Sequence, residues 1–361
     1  MHLLIEAGEN SELQRIGISE YLLYTLNFST LVSGPIQRYD EFARDMFAAQ
    51  PIPLGPRVIG HQLERIVRGL FKVNVLATVF DMLHQDALTQ MTYALPPTAK
   101  CFAAIRLAIA YPFFLYCNFS GYIDIVVALA RLMRLRLPEN FDRPFSASSF
   151  IDFWNRWHIT LSSWLKTYVY NPLLLALMRR FSSIALQPFL GVFCFFMTFF
   201  LIGVWHGRTS EFIFFGLLQG GGVAINKSWQ VVLTNLLGRK RYSSLAGNPV
   251  YISFARGLTF SWFAFTLFWF WGSWNELRVA FGTIGVASWL AVGMAIWLAA
   301  TLALAAWEML RALLLMPRSA AGPLLLSRYA RVVYAAALGF IALVMMLLLN
   351  QAVPDIVYKA F

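Results

Sequence analysis

Apolar residues in this chain gather into long runs separated by short polar and basic stretches. The cleanest run, Leu186 to Trp205, carries no charge and is long enough to cross a bilayer as a helix. Cys101 to Phe119 is nearly as clean, interrupted by Arg106. Gly121 to Met133 follows a Phe-Ser-Gly break and holds Asp124. Further runs cover Glu211 to Ile225, Tyr251 to Trp271, Ile284 to Leu310 and Val332 to Leu349. Tyr21 to Ile36 is short and broken by Gly34 and Pro35, which marks a partial or re-entrant segment. Leu63 to Leu83 carries Arg65, Arg68 and Lys72 at helical spacing, predicting a helix with one polar face. Phe150 to Met178 is different. There Trp154, Trp157, Trp164, Tyr168 and Tyr170 mingle with Arg, Lys and His, as in a helix lying at the membrane interface or dipping into it. The pattern therefore predicts an all-α, polytopic transmembrane helical bundle with an interfacial or re-entrant helix at about 150–178. No internal repeat or flexible linker divides it, so a single domain over 1–361 is expected, with 1–20 as a polar extension.

Composition supports this class. The chain is 59% hydrophobic and 13% charged, with a mean hydropathy of +0.61, whereas soluble domains carry about 25% charged residues. The net charge of +11 then reads as basic cytoplasmic loops facing anionic lipid. Membrane lipids are the expected partners, and nucleic acid is not. Three loops are basic: Arg131, Arg134, Arg136 and Arg143; Arg239, Lys240 and Arg241; Arg311, Arg318, Arg328 and Arg331. They are expected in the cytoplasm, and the loop from Trp271 to Ile284, with one Glu276 and one Arg278, outside. Two apolar runs separate the second basic loop from the third, so the parity agrees and the C-terminal tail falls outside. The acidic start, with Glu6, Glu9, Glu12 and Glu20 against Arg15, is not a secretory signal. Cys101, Cys117 and Cys194 lie in apolar runs without a CxxC, so neither a metal site nor a disulfide framework is expected. No phosphate-binding loop or dinucleotide fingerprint occurs, which argues against a nucleotide enzyme.

His206 closes the cleanest run, in VWHGR at 204–208. A histidine at membrane depth is rare and marks a functional site by default. An imidazole takes or gives a proton near neutrality, so His206 is a candidate general base for acyl transfer to a hydroxyl. It equally fits a histidine bonded to a neighbouring helix or seated at the headgroups. His158 or Asn155 would offset charge growing on an acyl carbonyl, although His158 by itself reads better as an interfacial anchor. Trp154, Arg156, Trp157 and Trp205 suit a flat or phosphorylated donor, by stacking and by charge. They also fit an aromatic belt. Asp124 is a further candidate, or else a structural carboxylate paired with an arginine such as Arg131.

The string DFWNRWHITLSSWL at 152–165 resembles the signature of the membrane-bound O-acyltransferase family. FSGYID at 119–124 and LPENFDRPF at 137–145 are similar to the bacterial branch that acetylates alginate and other exported polysaccharides. The D-alanyl transfer proteins of teichoic acid share much of the same string. SGPIQRY at 33–39 resembles the family's Gly-Pro-Ile segment, and Trp205-His206-Gly207 its catalytic turn. The resemblance runs from about Leu22 to about Trp229. It implies a ring of tilted helices around a central tunnel, in a multi-pass protein of the bacterial inner (cytoplasmic) membrane. The donor, acetyl-CoA or an acylated carrier protein, would enter from the cytoplasm and a polysaccharide acceptor from the other face, with no bound cofactor. It makes His206 the catalytic base and His158 the second polar residue. Trp154, Asn155, Arg156, Trp157, Trp205, Asp124 and Gln219 would surround substrate or donor.

Two positions depart from the family pattern. Family members usually carry several helices before the Gly-Pro-Ile segment, where this chain has a polar stretch. Gln219 stands where bacterial members often have histidine, and glutamine hydrogen-bonds but does not titrate. The expected function is transfer of an acetyl or other short acyl group to hydroxyls of an exported or cell-surface polysaccharide. The alternatives are D-alanyl transfer to teichoic acid, an acyl conduit feeding a separate extracytoplasmic acetyltransferase-like partner, and an inactive truncated relative. Lipid esterification ranks lower, because His158 stands where those branches carry asparagine.

Overall fold

The computed structural model describes residues 5–6, 8, 16–31, 33–183, 186–315 and 328–349. Arg318 of the third basic loop and the tail after 349 lie outside the described residues. Among the described residues the protein is all-α, with one isolated antiparallel bridge, Phe141 to Trp157, and no strand. Among the described residues, four helices are long and apolar enough to cross a membrane: Pro97–Leu132, Gln187–His206, Trp274–Leu313 and Tyr329–Leu348.

The chain divides into two compact units. The first comprises Met1–Leu76, Cys117–Asn140 and Leu326–Tyr358. It holds α1 (Ile18–Thr25), α2 (Tyr39–Met46) and α3 (Pro56–Phe71). Tyr24, Tyr39 and Phe42 form an aromatic knot, with Tyr24 centred 5.4 Å from each of the other two rings. Asp45, on α2, accepts the Arg136 backbone N–H at 2.9 Å and also binds its guanidinium. Burial would raise the Asp45 carboxyl, but the bonds and charge of Arg136 outweigh it and hold the group below the usual carboxylate range.

The polar face expected on α3 is present, and Asp124 is its partner. Arg65 donates to Asp124 at 2.8 Å and to Glu139 at 2.7 Å. Lys72 donates to Asp124 at 2.7 Å and to Ser120 at 3.3 Å. The expected partner Arg131 donates instead to the Pro53 carbonyl, at 3.2 Å. Arg65 and Lys72 engage different oxygens of Asp124, so that both its acceptors are satisfied.

The second unit comprises Ala77–Tyr116, Phe141–Leu325 and Lys359–Phe361. A π-helical stretch, Lys72–Ala77, carries α3 on into α4 (Thr78–Thr92). Then comes α5 (Pro97–Leu132), which runs unbroken through Pro112 and through the Phe-Ser-Gly triplet read above as a break. Gly121 serves close packing there: a side chain on it would lie 2.9 Å from the Gly69 carbonyl.

The aromatic stretch at 150–178 is not one helix. It folds as α6 (Phe150–Trp154), α7 (Ile159–Leu165), a π-helical stretch at Lys166–Tyr170, and α8 (Asn171–Arg180). The break falls at 155–158, where Trp157 bridges to Phe141 and His158 adopts φ 44° and ψ 54°. That left-handed backbone is uncommon for a residue with a side chain.

α9 (Gln187–His206) begins with Pro at its first turn, which needs no N–H donor, and ends at Gly207. α10 (Ser210–Leu237) runs well past the predicted end at Ile225 and lies along α9. Gly203 and Gly216 set their approach: a methyl on Gly203 would come within 2.3 Å of the Gly216 backbone. After α11 (Arg239–Ala246), α12 (Pro249–Thr266) is capped by Asn248, whose side chain accepts from Val250 N at 2.9 Å. The short α13 (Phe268–Trp271) follows. α14 (Trp274–Leu315) is bent at Gly285, whose φ of 72° suits a residue without Cβ. α15 (Arg328–Leu349), in the first unit, lies along α3, with Gly339 beside Val67 and Arg331 paired with Glu64.

Candidate active site

Most of the residues singled out above belong to the second unit, around the C-terminal end of α9. The His206 ring packs edge-on to Phe270 of α13 at 4.8 Å and to Phe215 of α10 at 5.9 Å. Trp205 lies 4.8 Å from His206 and 6.4 Å from His158, so both imidazoles neighbour one indole. His158 is buried, whereas His206 is half-buried. Burial is the main cause that pulls His158 below the ordinary imidazole range, and the charge of His206 is the second. A neutral imidazole offers one donor and one acceptor, the form a proton carrier requires.

Several layers fix His158. Ser149 caps α6 by accepting from Asp152 N at 3.1 Å, and Asp152 accepts in turn from Ser148 N at 3.1 Å. Asn226 of α10 accepts from Ile151 N at 3.2 Å and so ties α6 to α10. Trp157 stacks on Phe153 at 5.5 Å and meets Phe263 of α12 at 5.0 Å. The sharp turn at 155–158 thus rests on a packed aromatic wall.

The other candidates divide. Trp154 is buried against Phe199 of α9 at 5.2 Å, and its indole N–H has no protein partner among the described residues. Gln219 is fully buried one turn beyond Phe215. Its amide donates to Thr266 at 2.8 Å, and its carbonyl oxygen is left without a protein partner among the described residues. Asn155 is exposed. Arg156 is held by Asp152 at 2.9 Å, with Asp142 at 3.7 Å. Asp124 belongs to the first unit, where Arg65 and Lys72 engage it.

His84, which sequence reasoning passed over, is buried on α4. Its ring lies 4.6 Å from Trp271 and 5.1 Å from Tyr111. The signal was weak, since His84 sits among Asp81, Gln85, Asp86 and Gln90 and reads as part of a polar stretch. No group of three or more His, Cys, Asp or Glu among the described residues has the arrangement of a metal site.

Apolar helices of membrane-crossing length, with imidazoles set among aromatic rings at a helix end, define a membrane protein with a buried polar site. The chain belongs to the membrane-bound O-acyltransferase family, which it matches over residues 6–268. It is 31% identical over 226 residues to the teichoic acid D-alanyltransferase of Streptococcus thermophilus, covering 60% of this chain and 52% of that protein. It is 30% identical over 213 residues to the peptidoglycan O-acetyltransferase of Helicobacter pylori, covering 58% and 37%. It is 32% identical over 211 residues to the "Probable alginate O-acetylase AlgI" of Pseudomonas syringae pv. tomato, again covering 58% and 37%. The matches thus span about half the length of the first relative and less of the others.

Proposed function

We propose that this protein moves an acetyl or other short acyl group onto hydroxyls of an exported or cell-surface polysaccharide. The observation that carries the reading is the pair His206 and His158, both close to Trp205, within the stretch matched to the acyltransferase family. In this reading His206 accepts the proton of the acceptor hydroxyl as its oxygen attacks the acyl carbonyl. His158, fixed by the aromatic wall, donates to the carbonyl oxygen as charge develops there. The acyl–sulfur bond then breaks, and the thiolate takes up a proton. The donor is a thioester, acetyl-CoA or an acylated carrier protein, reaching the site from the cytoplasmic face of a multi-pass inner-membrane protein. The basic loops support that orientation. An extracytoplasmic acetyltransferase-like partner completes delivery where the polymer lies beyond the membrane. D-alanyl transfer to teichoic acid is the second reading, favoured by the Streptococcus thermophilus relative.

The test compares wild type, His206→Ala and His206→Gln at matched membrane abundance in a deletion strain. The readout is base-labile acetate or D-alanine released from the surface polymer. Loss of acyl groups in both variants is expected. Retention in His206→Gln removes the base assignment and leaves an acyl conduit. Release of D-alanine instead of acetate selects the second reading.

A further inference from the structure

His84 is 3% exposed, and neither ring nitrogen has a protein partner among the described residues. Leaving buried polar atoms unpaired is costly, whereas a phenyl ring of nearly the same shape would fill the space without that cost. The nitrogens are not needed to hold α4 in place. Phe80 stacks on Phe113 of α5 at 5.2 Å one turn before His84. Arg106 of α5 donates to Asp86 at 2.8 Å just after it. The helix is pinned on both sides of a histidine whose own polar atoms contribute nothing to the pinning.

The surroundings connect His84 to the reacting centre. Trp271, edge-on to His84, directly follows Phe270, which is edge-on to His206. Tyr111 touches both ends, 5.1 Å from His84 and 6.4 Å from Phe270. Two consecutive residues of α13 therefore address the two histidines. In the orientation drawn from the basic loops, α13 leads into the outward loop after Trp271, the side from which a polymer would arrive.

We propose that His84 is a positioning residue for the acceptor, hydrogen-bonding a sugar or polyol hydroxyl next to the one acylated, with Trp271 and Tyr111 flanking the ring. One imidazole nitrogen donates and the other accepts, which matches a hydroxyl that does both. This rests on the acyltransferase reading of His206.

The experiment uses the full chain in membrane vesicles, with acetyl-CoA as donor and short oligomers of the host's surface polymer as acceptor. His84→Phe keeps the ring and removes the nitrogens, and His84→Gln restores a donor and an acceptor. The expected result for His84→Phe is an acceptor KM raised about ten-fold, the loss of one buried hydrogen bond. The acetyl-CoA KM stays unchanged, the melting temperature holds or rises as the unpaired nitrogens are removed, and His84→Gln recovers part of the loss. An unchanged acceptor KM in His84→Phe overturns the proposal and assigns the nitrogens to bound water. A fall in melting temperature with equal effects on both KM values also overturns it, in favour of packing. His206→Ala is run in parallel: full transfer by that variant sinks the acyltransferase reading itself, and with it any acceptor role for His84.

Discussion

The approach of α9 to α10 at Gly203 lends itself to a sharp test. A Cβ at Gly203 would sit 2.3 Å from Gly216 N and Cα and 2.5 Å from the Phe212 carbonyl. Ordinary contact begins at 3.4 Å, so the backbones must part by about 1 Å in Gly203→Ala. Overpacking of this kind costs about 1–3 kcal/mol. The damage also reaches the site. α9 carries His206 one turn beyond Gly203, and α10 carries Phe212 and Phe215, whose rings contact it. With His206 as the proposed base, a shift of about 1 Å there lowers the rate by about 100-fold. The assay is tryptophan-fluorescence melting of the solubilised protein, together with acyl transfer per molecule. Gly221→Ala is the internal control, because a Cβ there meets nothing within 4 Å. It should be neutral or stabilise the helix by about 0.5–1 kcal/mol. Wild-type melting and transfer in Gly203→Ala, or equal damage from Gly221→Ala, would refute the reasoning.

Asp124→Asn leaves Arg65 and Lys72 without their shared carboxylate. It should destabilise the protein by about 3 kcal/mol, read as an earlier melt; an unchanged melt shows that the cations find water instead. Asp45 has a depressed folded-state pKa, so its contribution is present above the unfolded value of about 3.9 and is lost as pH falls below it. Melting temperature measured from pH 6 down to pH 3 should therefore drop more steeply in wild type than in Asp45→Asn. Parallel curves would remove Asp45 from the acid response.

Helical class and the limits of α9 were legible because both follow from long charge-free runs. The predicted start of a span at Ile284 coincides with the bend at Gly285. Other errors share one cause: local residue preferences say nothing of what packs alongside. Ser120 and Gly121 look like a break, yet Gly121 is small because Gly69 lies against it. The cations at 65, 68 and 72 were read as one helix face, but nothing in their spacing points to Asp124, far along the chain. The aromatic and basic make-up of 150–178 hid the left-handed turn at His158, a backbone uncommon for any residue but glycine. In the candidate site, His206 and His158 were visible through their strings. His84 was not, because the rings that surround it, Trp271 and Tyr111, come from other helices.

Helix α5 belongs to both compact units, and the division between Tyr116 and Cys117 falls inside the continuous helix. The two units are therefore not modules in the usual sense. A cut at that point would strip carbonyls and N–H groups of their partners in apolar surroundings, at several kcal/mol for each group. Neither piece could be shuffled, fused elsewhere or made alone without rebuilding that helix.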